Sequence, residues 1–95
     1  MKYGLEEGIQ EQIINIVKTN KKYQFKLFGS RARGDHKKTS DIDIAIFENL
    51  EKEEEYRIRI EFDKLIIIYK IDLIFVNEKT KKELLNSILR DGVDL

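Results

Sequence analysis

Phe28-Gly29-Ser30-Arg31-Ala32-Arg33-Gly34, followed across a short polar loop by Ser40-Asp41-Ile42-Asp43-Ile44-Ala45-Ile46-Phe47, is the stretch from which the fold is read. An apolar run ends in a Gly-Ser turn, ten residues intervene, and two acids separated by one isoleucine open a second apolar run. Side chains of a strand alternate between its faces, so Asp41 and Asp43 share one face while Ile42 and Ile44 point into a core. Two carboxylates roughly 7 Å apart along one face repel each other unless a cation lies between them. Oxygen ligands of this kind suit a hard divalent ion, magnesium above all where phosphate oxygens complete its shell. The Gly-Ser turn supplies the complementary half, because backbone N–H groups exposed where a turn enters a helix favour an anion.

Upstream of this stretch, Leu5, Ile9, Ile13, Ile16 and Val17 recur at helical spacing with Glu6, Glu7, Glu11 and Lys18 opposite, which predicts an amphipathic helix over 5–19. Residues 23–28 alternate as a short strand, residues 30–33 form a single helical turn closed by Gly34, and residues 41–47 form the second strand. The segment 51–69 carries two periods. Tyr56, Ile58, Ile60 and Phe62 alternate with charged residues as in a strand, yet Ile58, Phe62, Leu65, Ile66 and Tyr69 fall on one helical face. Its length without a turn residue favours a helix over about 51–67. A third strand over 71–76 contains Asp72, and Thr80 with Glu83 has capping-box spacing ahead of a last helix with Leu84, Leu85, Ile88 and Leu89 inward and Gly92 at its end.

These elements predict one α/β domain over 1–95, a small mixed sheet of about three main strands with helices packed on it. The first strand ends at the Gly-Ser turn whereas the second begins at Asp41, so a shared site requires them to be antiparallel. The helical crossover makes the second and third strands parallel neighbours, which brings Asp72 beside Asp41 and Asp43.

Composition bounds the rest. Lys plus Arg number 18 and Asp plus Glu number 18, a zero balance that argues against broad nucleic-acid affinity, and no direct nucleic-acid contact is expected. The clusters Lys21-Lys22, Lys37-Lys38 and Lys81-Lys82 read as solvated helix ends and loops. With no cysteine the chain has no disulfide or thiolate site, and a reducing cytoplasm is its natural setting. Its apolar runs are too short for a membrane span or a signal peptide.

Three converging carboxylates can hold two magnesium ions around a nucleoside triphosphate. On this reading Asp41 and Asp43 take the metals and the triphosphate, and Asp72 takes the second metal and helps deprotonate an incoming hydroxyl. Ser30 and the N–H groups after Gly29 grip terminal phosphates, Arg31 or Arg33 neutralises departing pyrophosphate, and Ser40, next to Asp41, is a further nucleotide contact. Each piece alone has a plainer reading. Asp-Ile-Asp can merely solubilise a strand start, and the Gly-Ser stretch can be a surface turn; it is their spacing, with an acid-bearing third strand, that favours the joint site. His36 is expected in solvent, and Tyr3, Tyr23, Tyr56 and Tyr69 are spaced as packing residues.

Gly29-Ser30, ten residues, Asp41-Ile42-Asp43 and then Asp72 as third acid resembles the signature of the DNA-polymerase-beta-like nucleotidyltransferase superfamily. Gly-Ser-Arg-Ala-Arg-Gly followed by Ser-Asp-Ile-Asp is similar to its minimal nucleotidyltransferases of bacteria and archaea, and the likeness extends over nearly the whole chain. The resemblance implies a palm-like fold, magnesium on Asp41, Asp43 and Asp72, and nucleotide phosphate on Gly29 and Ser30. Larger relatives add domains that bind the acceptor; a minimal module implies an acceptor in trans. Such modules typically accompany a small helical HEPN protein, commonly a ribonuclease toxin, which some silence by moving AMP from ATP onto a tyrosine. The alternatives are neutralisation of a partner by masking alone, and transfer to a small-molecule hydroxyl.

Overall fold

The side chains of Ile42, Ile44 and Ile46 have no solvent exposure, and the strand that carries them, β2 (Ile42–Phe47), is an interior member of a four-stranded sheet. The structure, a computed structural model, describes residues 2–47 and 50–95. The chain enters through a 3-10 turn (Lys2–Gly4) and continues as α1 (Glu7–Thr19), β1 (Gln24–Phe28), α2 (Ser30–Arg33), β2, α3 (Lys52–Asp63), β3 (Ile71–Phe75), α4 (Lys82–Asp91) and β4 (Val93–Asp94). Spatial order in the sheet is β3-β2-β1-β4. As the strand directions require, β1 is antiparallel to β2 and β2 is parallel to β3.

Period-two alternation divides the sheet into two faces. Phe25 and Leu27 of β1 join Ile42, Ile44 and Ile46 in one cluster with Ile9, Ile13 and Ile16 of α1 and Ile58 and Phe62 of α3. The three α1 isoleucines recur at i, i+4 and i+7, one stripe of a helix. Phe25 and Phe62 meet as a tilted pair with ring centroids 6.5 Å apart, within the range where aromatic pairs attract beyond their burial. The opposite face carries Phe28 and Ala45, over which Ile88 and Leu84 of α4 pack. Ile44→Val deletes one methylene from a filled interior and is expected to lower stability by about 0.5–1.5 kcal/mol, read as a shifted denaturant midpoint at unchanged slope.

The two helices of the first layer are also bridged by polar groups. Asn20, buried at the end of α1, donates to the carbonyl of Ile16 at 2.8 Å and to Glu61 at 3.1 Å, and accepts from Arg57 at 2.8 Å. The oxygen and the NH2 group of that buried amide thus each find partners on α1 or α3.

Four features depart from the sequence-based expectation. Helix α3 stops at Asp63 rather than near 67. Three consecutive β-branched residues, Ile66-Ile67-Ile68, disfavour continuation, and the segment is irregular, with Leu65, Ile67 and Tyr69 packed on the core while Ile66 and Ile68 stand 92% and 84% exposed. Thr80 does not cap α4. Its hydroxyl accepts the N–H of Asn77 at 2.9 Å, and the cap position falls on Lys81 without a side-chain bond. Leu89, expected inward, is exposed, as is Tyr56. Finally, Gly92 is extended rather than left-handed, so the chain runs straight into β4, whose Val93 and Asp94 pair with Leu27 and Lys26. That fourth strand is too short to show a period. No described helix is long and apolar enough to cross a membrane.

Candidate active site

The turn after β1 is shaped by one residue. Gly29 has φ 78° and ψ −160°, a region that residues with a β-carbon essentially do not occupy. A Cβ at Gly29 would also fall inside contact distance of the Asp43 carboxylate. The close approach follows from register: Phe28, the last residue of β1, pairs with Asp43 of β2. Beyond the glycine, α2 is a single turn whose returning bonds, Gly34 N–H and Asp35 N–H to the Ser30 carbonyl at 2.9 and 3.1 Å, close it tightly.

Asp43 is the centre of the arrangement. On its other side it pairs with Asp72 across the parallel β2–β3 ladder, and residues in register on one sheet face are nearest cross-strand neighbours. Burial, then the negative charges of Asp72 and Asp41, push the Asp43 carboxyl above its ordinary range, opposed more weakly by Arg33 and Lys70. Lys70 places its ammonium 3.5 Å from Asp72. The structure thus brings Asp43, Asp72, Asp41 and the Gly29 turn to one end of the sheet.

The polymerase beta nucleotidyltransferase family model matches residues 11–95. The chain belongs to that family.

A solved structure described as "Crystal structure of the toxin-antitoxin with AMP-PNP" contains a chain similar to this nucleotidyltransferase, at 23% identity, over 88% of this chain and 69% of the other, with a TM-score of 0.66. At that identity the likeness shows a shared fold. No curated protein matches the chain.

The donor set of this nucleotidyltransferase fits a hard cation. Burial first, and then the charges of Asp72 and Asp41, disfavour ionisation of Asp43, and an added cation offsets the part that is repulsion. Among the described residues no three His, Asp or Glu side chains stand close enough to enclose an ion by themselves. Magnesium commonly takes one or two carboxylates and completes its shell with water and substrate phosphate.

The remaining predicted site residues are placed differently from one another. Arg33 lies at the rim, donating to Asp35 at 3.1 Å and to Asp91 of α4 at 3.2 Å, while its charge reaches Asp43. Ser40 turns its hydroxyl away to accept the Lys37 N–H at 2.8 Å. Arg31, expected at the phosphates, is 1% exposed and spends its donors on backbone carbonyls, among them Ser40. A buried guanidinium with filled donors is not free to meet a phosphate. His36 is also displaced from its expected place in solvent. It is half-buried, with Nδ1 enclosed and without a partner, and its ring occupies the space beside Gly4. Lys70 and Asp91 were not legible as site residues, because no spacing in the sequence marks either of them.

Proposed function

We propose that this nucleotidyltransferase moves a nucleoside monophosphate, AMP from ATP, to a hydroxyl of a partner protein, most specifically a tyrosine of a HEPN-type toxin, and so acts as an antitoxin. The observation that carries the reading is the setting of Gly29 against Asp43, itself in register with Asp72, in a chain of this family. The similarity to a chain from a toxin-antitoxin crystal structure with AMP-PNP supports the partner class and the nucleotide.

Asp41, Asp43 and Asp72 would hold two magnesium ions, which when bound neutralise charge on the phosphate oxygens. Ser30 and the N–H groups that open α2 orient the terminal phosphates. A four-residue helix has little macrodipole, so this grip rests on hydrogen bonds rather than on a field. Asp72 accepts the proton of the acceptor hydroxyl, whose oxygen attacks the α-phosphorus as the bond to the β-phosphate oxygen breaks and pyrophosphate leaves. Arg33, its pKa raised first by its bond to Asp35 and then by that to Asp91, lies near enough to balance the charge that departs.

Incubation with labelled ATP, magnesium and the product of the adjacent open reading frame tests this directly. Label is expected on a tyrosine of the neighbour, and none there with a metal-loaded, folded protein defeats the proposal. A masking mode draws on the exposed Ile66 and Ile68, which offer apolar surface to a partner. The double variant Asp41→Ala, Asp43→Ala separates the two, since masking survives it and transfer does not.

A further inference from the structure

We infer that Arg31 is the positioning residue of this site, a buried clasp that sets the acids at the start of β2 and β3 against the Gly29 turn. The inference rests on the transfer reading above and adds to it a residue that touches neither nucleotide nor acceptor.

The guanidinium has five N–H donors in a rigid fork, and four backbone carbonyls accept five hydrogen bonds from it. Nε donates to the Ser40 carbonyl at 3.0 Å. Nη1 donates to Tyr3 at 2.9 Å and to Gly4 at 3.3 Å, and Nη2 to Ser40 at 2.9 Å and to Lys38 at 3.4 Å. The ring of Tyr69 lies against the guanidinium, 4.4 Å from its central carbon. No carboxylate is among these partners; carbonyl dipoles and one π face take the charge.

The segments so joined are the ones that bear the site. Arg31 adjoins Ser30, Ser40 adjoins Asp41, and Tyr69 lies in the connection that delivers Asp72. That connection is tied again where the Ile42 N–H donates to the Lys70 carbonyl at 2.8 Å. The 3-10 turn at Lys2–Gly4 supplies two of the four carbonyls although it precedes the residues matched by the family model. Without the fork, the loop over 35–40 keeps its turn bonds, the Asp35 contacts with Ser30 and Arg33 and the packing of His36 beside Gly4, but the Ser40 carbonyl loses its two bonds and the acid pair that follows can shift relative to the phosphate turn. Lysine carries the charge but has three donors on a flexible stem and cannot span the same acceptors.

The test uses the full chain and reads manganese with a non-hydrolysable ATP analogue by calorimetry, alongside transfer kinetics, all well below the unfolding midpoint. Arg31→Lys is expected to fold, to weaken manganese–nucleotide binding and to cut turnover by about 10²-fold, the scale of an ångström-sized misplacement, with KM for the protein acceptor unchanged. Tyr69→Leu, which keeps apolar bulk in the core, is expected to lower both in the same direction by about tenfold. The second variant keeps the inference testable if the first does not fold. Wild-type binding and turnover in both variants, with only the melting temperature reduced, makes Arg31 a packing residue and overturns the inference while the transfer reading stands. Absence of manganese–nucleotide binding in the unaltered protein removes both.

Discussion

Asp43→Asn is expected to lose transfer by about 10²–10³-fold or more, the scale on which removal of one group that stabilises transition-state charge is felt, and at the same time to melt at a higher temperature than the wild type at neutral pH. The two effects have one origin. Burial and the charges of Asp72 and Asp41 hold the Asp43 carboxyl above its ordinary range, so ionising it costs more in the folded protein than in the unfolded chain, while the reaction requires it ionised. The direction of the pH dependence follows from linkage. A folded-state pKa above the unfolded value gives a stability contribution that is complete below the unfolded value and is lost as pH rises through the folded one. The asparagine variant escapes that loss. Its advantage in melting temperature should therefore be present at pH 7 and shrink toward zero as pH falls below the carboxylate range. Addition of magnesium with ATP should raise the wild-type melting temperature, because ligands that bind only the folded state stabilise it, and should leave Asp43→Asn nearly unmoved. A variant that melts lower than wild type at pH 7 would mean that Asp43 is held by favourable bonds rather than by repulsion.

Gly29→Ala is expected to cost about 1–3 kcal/mol in stability, which for a chain of this size lowers the melting temperature by roughly 4–8 °C per kcal/mol, and to cut transfer by about 10²-fold or more. Backbone strain accounts for the first effect, since φ 78° with ψ −160° suits glycine alone. The second comes from space: the new methyl falls where the Asp43 carboxylate lies, and the carboxylate is what must move. Gly34→Ala is the control. Gly34 is left-handed at φ 90° with nothing near the position of a Cβ, so alanine there strains the turn without touching an acid and should keep most of the activity. Equal activity losses at the two glycines would show that the turn, and not its contact with Asp43, governs the site.

Much of this architecture was legible before any coordinates. Alternation of Ile42, Ile44 and Ile46 with Asp41 and Asp43 specified a strand with one buried and one acidic face, because the side-chain period of a strand is two. The length of the connection between β2 and β3 required them to be parallel, and the order of turn and acids required β1 to be antiparallel. All three relations hold in the sheet. What alternation does not carry is how an irregular segment is spent. Leu65 and Ile66 read as the continuation of a helical face and proved to lie beyond the end of α3, since the packing of Leu65, Ile67 and Tyr69 against the core decided the matter.

The chain's own order of residues determined which groups can meet: a glycine-led turn, two acids two residues apart and a third acid on a parallel strand, all consequences of local period and connection length. Only the tertiary structure decided that Asp43 lies in register with Asp72, that Val93 and Asp94 close the sheet as a fourth strand, and that Arg31 faces inward to four carbonyls rather than outward to a phosphate. Those outcomes rest on partners that lie far away along the chain. An arginine beside a Gly-Ser turn is alike in sequence whether a ring and two carbonyls from elsewhere in the fold close over it or not, and here Tyr69, Tyr3 and Gly4 do.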